Sequence, residues 1–138
     1  MIKNILLLCI FLIFRSAADA QPKDYKVVFD ITSKDSVNQQ AVIRELNLIK
    51  AASPEAKLEV VVYGQGLSLV LKDQSPQAAA IQKLLAQKDI SFKVCALTMQ
   101  RNNIDKGQLL SGVEIVPDGI YEIYSKQTEG WGYIKVAH

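Results

Sequence analysis

The run Leu58-Glu59-Val60-Val61-Val62-Tyr63 limits the fold more than any other stretch of the chain. Its centre is apolar and β-branched, without the polar alternation of a sheet that has one wet face. Strands of this kind occur where helices cover a parallel sheet on both sides. Parallel neighbours need long crossovers, and the flanking sequence supplies them. Lys26 to Thr32 reads as an earlier strand. After it, Ser36-Val37-Asn38-Gln39 has the form of a capping box, and Val42, Leu46 and Ile49 follow at helical spacing. The pattern predicts a helix over 36–52, stopped by Ser53-Pro54. Val37, Ala41, Leu48 and Ala52 add a second apolar edge to it, a surface for another subunit.

Downstream the alternation continues. Gly64-Gln65-Gly66 ends the second strand, and Leu67 to Leu71 is a short apolar segment. Ser75-Pro76 looks like a cap with proline at the first helical position, and Ile81, Leu84 and Leu85 mark a helix reaching Lys88-Asp89. Ser91 to Cys95 reads as a third strand and Val113 to Val116 as a fourth, after which Pro117-Asp118-Gly119 turns the chain. Ile120, Ile123, Tyr124 and Gln127 recur at i, i+3, i+4 and i+7, a last helix closed near Gly130, and Trp131 to Val136 forms a final strand. Strands alternating with helices in this way specify an α/β fold, a three-layer α/β/α sandwich around a five-stranded parallel sheet. No repeat, linker or low-complexity tract divides it.

The first twenty residues stand apart. Lys3 precedes an unbroken apolar run from Ile5 to Phe14, and Ala18-Asp19-Ala20 supplies small residues for cleavage. The run is too short for a bilayer span, which needs about 20 residues. Residues 1–20 therefore read as a secretory signal peptide and 21–138 as the mature domain, placed in the periplasm or secreted after cleavage near Ala20, with no stable membrane insertion. The net charge of +2 gives no electrostatic footprint for nucleic acid or an anionic membrane.

Cysteine usage is the most informative part of the composition. Of Cys9 and Cys95 only the latter survives cleavage, so the mature chain can form no internal disulfide. The single histidine is the terminal His138, which argues against Cys-His or Ser-His-Asp catalysis and against a histidine-rich metal site. No metal or cofactor is expected. Cys95 falls where a strand ends and a helix can begin, a place that favours a thiolate; the alternative is a small buried hydrophobe. Asp30, at the end of the first strand, is a candidate base or tuning charge, or else a solvated cap. Gly64 and Gly66 could admit a ligand to the backbone or simply make a turn. Leu67 follows them along the same cleft. Thr98 can cap the turn behind Cys95, and Arg101, a helical turn further, could reach its sulfur or remain solvated.

Several of these segments carry a family resemblance. Val60-Val61-Val62-Tyr63-Gly64-Gln65-Gly66-Leu67, Phe92-Lys93-Val94-Cys95-Ala96-Leu97-Thr98-Met99, Gly112-Val113, Val116-Pro117-Asp118-Gly119-Ile120, Gln127 and Gly130-Trp131-Gly132-Tyr133-Ile134 occur in an order and spacing that resembles the DsrE/DsrF family with its YchN-like fold. The resemblance implies a five-stranded parallel domain that assembles as trimers or hexamers. In sulfur-handling members it also implies a cysteine that bears persulfide sulfur, and Cys95 matches that kind of position. Two functions are expected to compete. One is a sulfur carrier or sulfurtransferase using Cys95, with a sulfur donor or acceptor protein as partner. The other is a non-enzymatic oligomeric module whose cleft, lined by Gly64 to Leu67 and Cys95, binds a small ligand or a partner.

Overall fold

Val60, Val61 and Val62 lie fully buried in the middle strand of a five-stranded sheet, as an apolar run without alternation requires. The computed structural model describes residues 24–137; the expected signal peptide and His138 lie outside them. In chain order the elements are β1 (Lys26–Ile31), α1 (Ser36–Ala52), β2 (Lys57–Val62), a 3-10 segment (Gly64–Val70), α2 (Ala78–Leu85), β3 (Ile90–Cys95), α3 (Ala96–Arg101), a 3-10 turn (Lys106–Gln108), β4 (Glu114–Val116), α4 (Gly119–Thr128) and β5 (Gly132–Val136). The strands are all parallel, in the order β4-β3-β2-β1-β5.

That order explains the layers. From β1 to β4 each crossover moves one strand in the same direction, so right-handed connections lie on one face. The step from β4 to β5 runs back across the whole sheet, and the same handedness puts α4 on the other face. The first face is thickly covered: Phe29, Ile31, Val60, Val62, Phe92 and Val94 pack with Val42 and Leu46 of α1, Leu69 and Val70 of the 3-10 segment, Ile81 and Leu84 of α2, and Met99 of α3. The second face has only a small apolar cluster, Val28, Val61 and Ile123, flanked by Tyr63 and Trp131. Polar side chains fill the rest of it, including the buried Asp30 and Glu59.

Local differences from the sequence reading have identifiable causes. Asp35, not Ser36, caps α1, its side chain accepting from the Val37 N–H at 2.7 Å. Gln39 turns instead to Ser33 O and the Ser68 hydroxyl. Leu67 to Val70 belong to the 3-10 helix, Leu71 follows it and bridges Leu109, and Gly66 is required in the helix because a β-carbon would lie 2.5 Å from the Ile31 carbonyl oxygen. α2 starts at Ala78 after a turn in which Ser75 Oγ accepts from Gln77, and it ends at Leu85, before Lys88-Asp89. The second apolar edge of α1 is open to solvent at Val37 and Leu48. Among the described residues no helix is long and apolar enough to cross a membrane.

Candidate functional site

Neighbouring strands β3 and β4 send their chains to opposite faces, β3 into α3 with the large core and β4 into α4 over the small cluster. Such a divergence at the carboxyl ends of parallel strands opens a crevice. Cys95 stands at this divergence, the last residue of β3, paired with Val116. It shares its side of β3 with Lys93, so its side chain lies on the α4 face, 5 % exposed.

Two chain turns surround the sulfur with donors. Cys95 is the residue before α3, whose first amides are free of intrahelical partners. On the other side, Asp118 caps α4 by accepting from Ile120 N at 2.9 Å and Tyr121 N at 3.4 Å, and Gly119 between them lies against Cys95. Burial pushes the Cys95 thiol up. The N–H groups of Gly119, Thr98 and Leu97 and the Thr98 hydroxyl outweigh it and hold the thiol below its ordinary range. Thr98 can spend its proton on sulfur because its oxygen is already an acceptor, taking the Gly64 N–H at 3.1 Å. Gly64 has φ +57°, the left-handed backbone that glycine adopts at least cost. Gly119 is closely packed: a β-carbon there would sit 3.2 Å from Cys95 Cβ, 3.3 Å from Val61 Cγ1 and 3.5 Å from Tyr63 Cδ1, so these neighbours would have to give by a few tenths of an ångström.

Tyr63 joins this thiol to a second cluster. Its hydroxyl donates to Asp30 Oδ2 at 3.2 Å, the Tyr133 hydroxyl donates to the same oxygen at 2.7 Å, and Lys135 Nζ donates to Asp30 Oδ1 at 3.0 Å and to the Thr32 hydroxyl at 2.9 Å. Burial, the Asp30 charge and the hydrogen bond to it push Tyr63 up to about 12, and the Asp30 hydrogen bond with burial does the same for Tyr133. Both phenols therefore stay protonated across the physiological range. Beside the cluster is a cavity of about 270 Å³ walled by Ile120, Ile123, Tyr124 and Gln127 of α4.

The structure thus brings Cys95, Thr98 and Gly64 together and connects Asp30 to them through Tyr63. Gly66 and Leu67 serve the packing of the 3-10 segment, Leu67 within the large core. Arg101 is exposed at the far end of α3, about 9 Å along the helix axis from its start. Gly64 and Leu67 line a cavity of about 370 Å³ with Lys34, Gln65, Ser68, Leu71, Gln74, Asn102 and Ile104; Cys95 is not part of that wall. Sequence reasoning missed Gly119, Tyr63, Tyr133 and Lys135. Asp118-Gly119 before an apolar-periodic segment is a cap signal that could have pointed to a free amide. Among the described residues no cluster of His, Cys, Asp and Glu could hold a metal ion.

The DsrE/DsrF-like family profile matches residues 26–136, the whole sheet and its helices. The chain belongs to the DsrE/DsrF-like family. Among solved structures it is similar to MTH1491 of Methanobacterium thermoautotrophicum, a protein of unknown function, at 32 % identity and a TM-score of 0.77 over 81 % of this chain and 99 % of that one. The ychN protein from E. coli shares the DsrE/DsrF-like fold at 16 % identity, with a TM-score of 0.68 over 81 % and 98 % of the two chains. BT1422 from Bacteroides thetaiotaomicron does so at 13 % identity, with a TM-score of 0.67 over 80 % and 94 %. No curated protein matches the chain.

Proposed function

We propose that this protein carries persulfide sulfur on Cys95 and passes it to an acceptor thiol, as an exported homo-oligomer. Membership of the DsrE/DsrF-like family suggests a sulfur-related role. The observation that carries the finer reading is a free thiol at the β3–α3 turn with the start of α4 pressed against it, where nearby amides and the Thr98 hydroxyl favour its ionised form. In loading, the Cys95 thiolate attacks the terminal sulfur of a persulfide or polysulfide donor. The donor S–S bond breaks, its inner sulfur leaves as a thiolate and takes a proton from water, and Cys95–S–SH remains. In discharge an acceptor thiolate attacks that terminal sulfur and Cys95 leaves as the thiolate that the same donors favour. One sulfane sulfur moves, and the electron count of donor and acceptor balances.

Export rests on the leader sequence, with release to the periplasm or medium. Assembly as a trimer or hexamer rests on the family resemblance together with exposed Ile120, Tyr121 and Tyr124 on α4 and Val37 and Leu48 on α1. The test is direct. Protein taken from its native compartment and alkylated at once should yield the Cys95 peptide with an added sulfur atom. A second reading, the small-ligand or partner-binding module, is favoured by the cavity at Asp30, Tyr63 and Tyr133. It takes the lead if that peptide is found only as the plain thiol and Cys95 stays unreactive until denaturation.

A further inference from the structure

α4 supplies the Gly119 amide, yet little apolar surface holds α4 in place. Only Gly119 and Ile123 of its residues are buried, and the cluster beneath it is small. The flank of Ile123 that faces β3 is charged. Glu122 Oε1 is 3.2 Å from Lys93 Nζ and 3.8 Å from Lys126 Nζ; Glu59 Oε2 is 3.3 Å from Lys93 and 3.6 Å from Lys126. Lys126 also lies over the Trp131 ring at 4.8 Å. Glu59 is 2 % exposed, and the hydroxyl of Ser91 donates to its Oε2 at 3.4 Å. This cluster therefore ties two residues of α4 to β2 and β3 from beneath the helix.

The register is what gives the cluster a role. Lys93 and Cys95 are successive residues on one side of β3, and Gly119 and Glu122 are successive on one side of α4. The Lys93–Glu122 contact is therefore the next contact along from Cys95–Gly119. An apolar contact such as Ile123 is non-directional and lets a helix slide or roll, whereas buried ionic contacts contribute little net stability but can select one register.

We propose, building on the reading of Cys95 as a reactive thiol, that Glu122 and its partners Lys93, Glu59 and Lys126 are positioning residues that set α4 in the register where Gly119 lies against Cys95. Glu122 acts through the helix and touches neither the sulfur nor a donor. Without it, α4 would keep its apolar anchor and lose its placement. The thiol would become less acidic and more open to reagents.

The sign of one measurement decides this. Removing a carboxylate from the neighbourhood of a thiolate lowers the thiol pKa by Coulomb's law alone. Loss of the Gly119 donor raises it. The pH midpoint of Cys95 alkylation by iodoacetamide, measured on the full mature chain with folding checked by circular dichroism, should therefore move upward in Glu122→Gln, by about half a pH unit or more. The limiting rate at high pH should increase. Glu129→Gln, which removes the exposed 3.9 Å partner of Lys126, should leave the midpoint in place. If Glu122→Gln does not fold, Glu122→Asp replaces it, keeping the charge and shortening the reach, with the same upward shift expected. A midpoint that falls or stays constant in the folded variant overturns the positioning role. A wild-type thiol with no depressed midpoint would instead remove the reading on which it rests.

Discussion

The α-carbon of Gly119 presses so near Cys95 that a β-carbon on the glycine would stand 3.2 Å from that of the cysteine. Two chain ends, the exit of β3 and the entry of α4, are held together at that point, and the Gly119 N–H is among the groups that hold the Cys95 thiol below its ordinary range.

Gly119→Ala tests the contact by overfilling it. The added methyl also meets Val61 and Tyr63, so either α4 lifts or the sheet side chains give way. Thermal or urea unfolding should show a loss of about 1–3 kcal/mol. The alkylation midpoint of Cys95 should rise as the Gly119 donor withdraws. Unchanged stability and an unchanged midpoint would mean that the approach is not tight in solution.

Thr98→Val separates packing from hydrogen bonding. The side chain keeps nearly the same shape, but the Gly64 N–H loses its acceptor and the sulfur loses a hydroxyl donor. Gly64 is exposed, so its N–H can turn to water and the loss of stability should be at most about 1 kcal/mol, while the thiol should become less acidic. Thr98→Ser should restore both properties. Equal behaviour of the valine and serine variants would rule the hydroxyl out of the site.

The Asp30 cluster predicts an alkaline transition. Tyr63 and Tyr133 have pKa values raised to about 12 in the folded chain. The folded state therefore binds these protons more tightly than the unfolded state does. Their contribution to stability is complete below about pH 10 and is lost as pH rises toward 12. Ultraviolet difference spectra should show two phenols ionising near pH 12. In Asp30→Asn both should ionise earlier, Tyr133 by more, because its largest cause is the Asp30 hydrogen bond, whereas burial, the largest cause for Tyr63, survives. Unaltered spectra in the variant would contradict the cluster.

How far the sequence could be read depended on the range of the interactions concerned. The strands were legible because their apolar runs are local, and α1 occupies Ser36–Ala52 as its periodicity requires. Its cap was misplaced because Asp35 competes with Ser36 for the role and Gln39 reaches Ser68, 29 positions away. Cys95 and Thr98 could be paired from the sequence because three positions separate them across a strand-to-helix turn. The link from Asp30 to Tyr133 spans 103 positions and depends on β5 returning to the edge beside β1, which no local pattern encodes. The same return carries α4 over the sheet, so the Gly119 donor follows from topology and not from its neighbours in sequence. Periodicity identified α4 as a helix, but of its repeating positions Ile120, Ile123 and Tyr124 only Ile123 is buried.

Export and assembly have separate readouts. Intact-mass analysis of the protein made in its own host should show a chain that begins at Gln21, and recovery of the full-length chain from membranes would contradict a cleaved leader. Sedimentation of the mature chain should show a closed oligomer, with Ile120→Lys or Tyr124→Lys weakening it. A monomer at micromolar concentration would leave the apolar edges of α1 and α4 without a partner copy.

The most direct test of sulfur carriage is polysulfide loading of the reduced, folded protein followed by intact-mass measurement across pH. One sulfur atom should be added to the wild-type chain, with loading still proceeding below the ordinary thiol pKa of about 8.5, and it should pass to a small acceptor thiol. Cys95→Ser should fold and assemble normally and take up none. A wild-type chain that gains sulfur only after denaturation, or a Cys95→Ser chain that gains as much, would contradict the account.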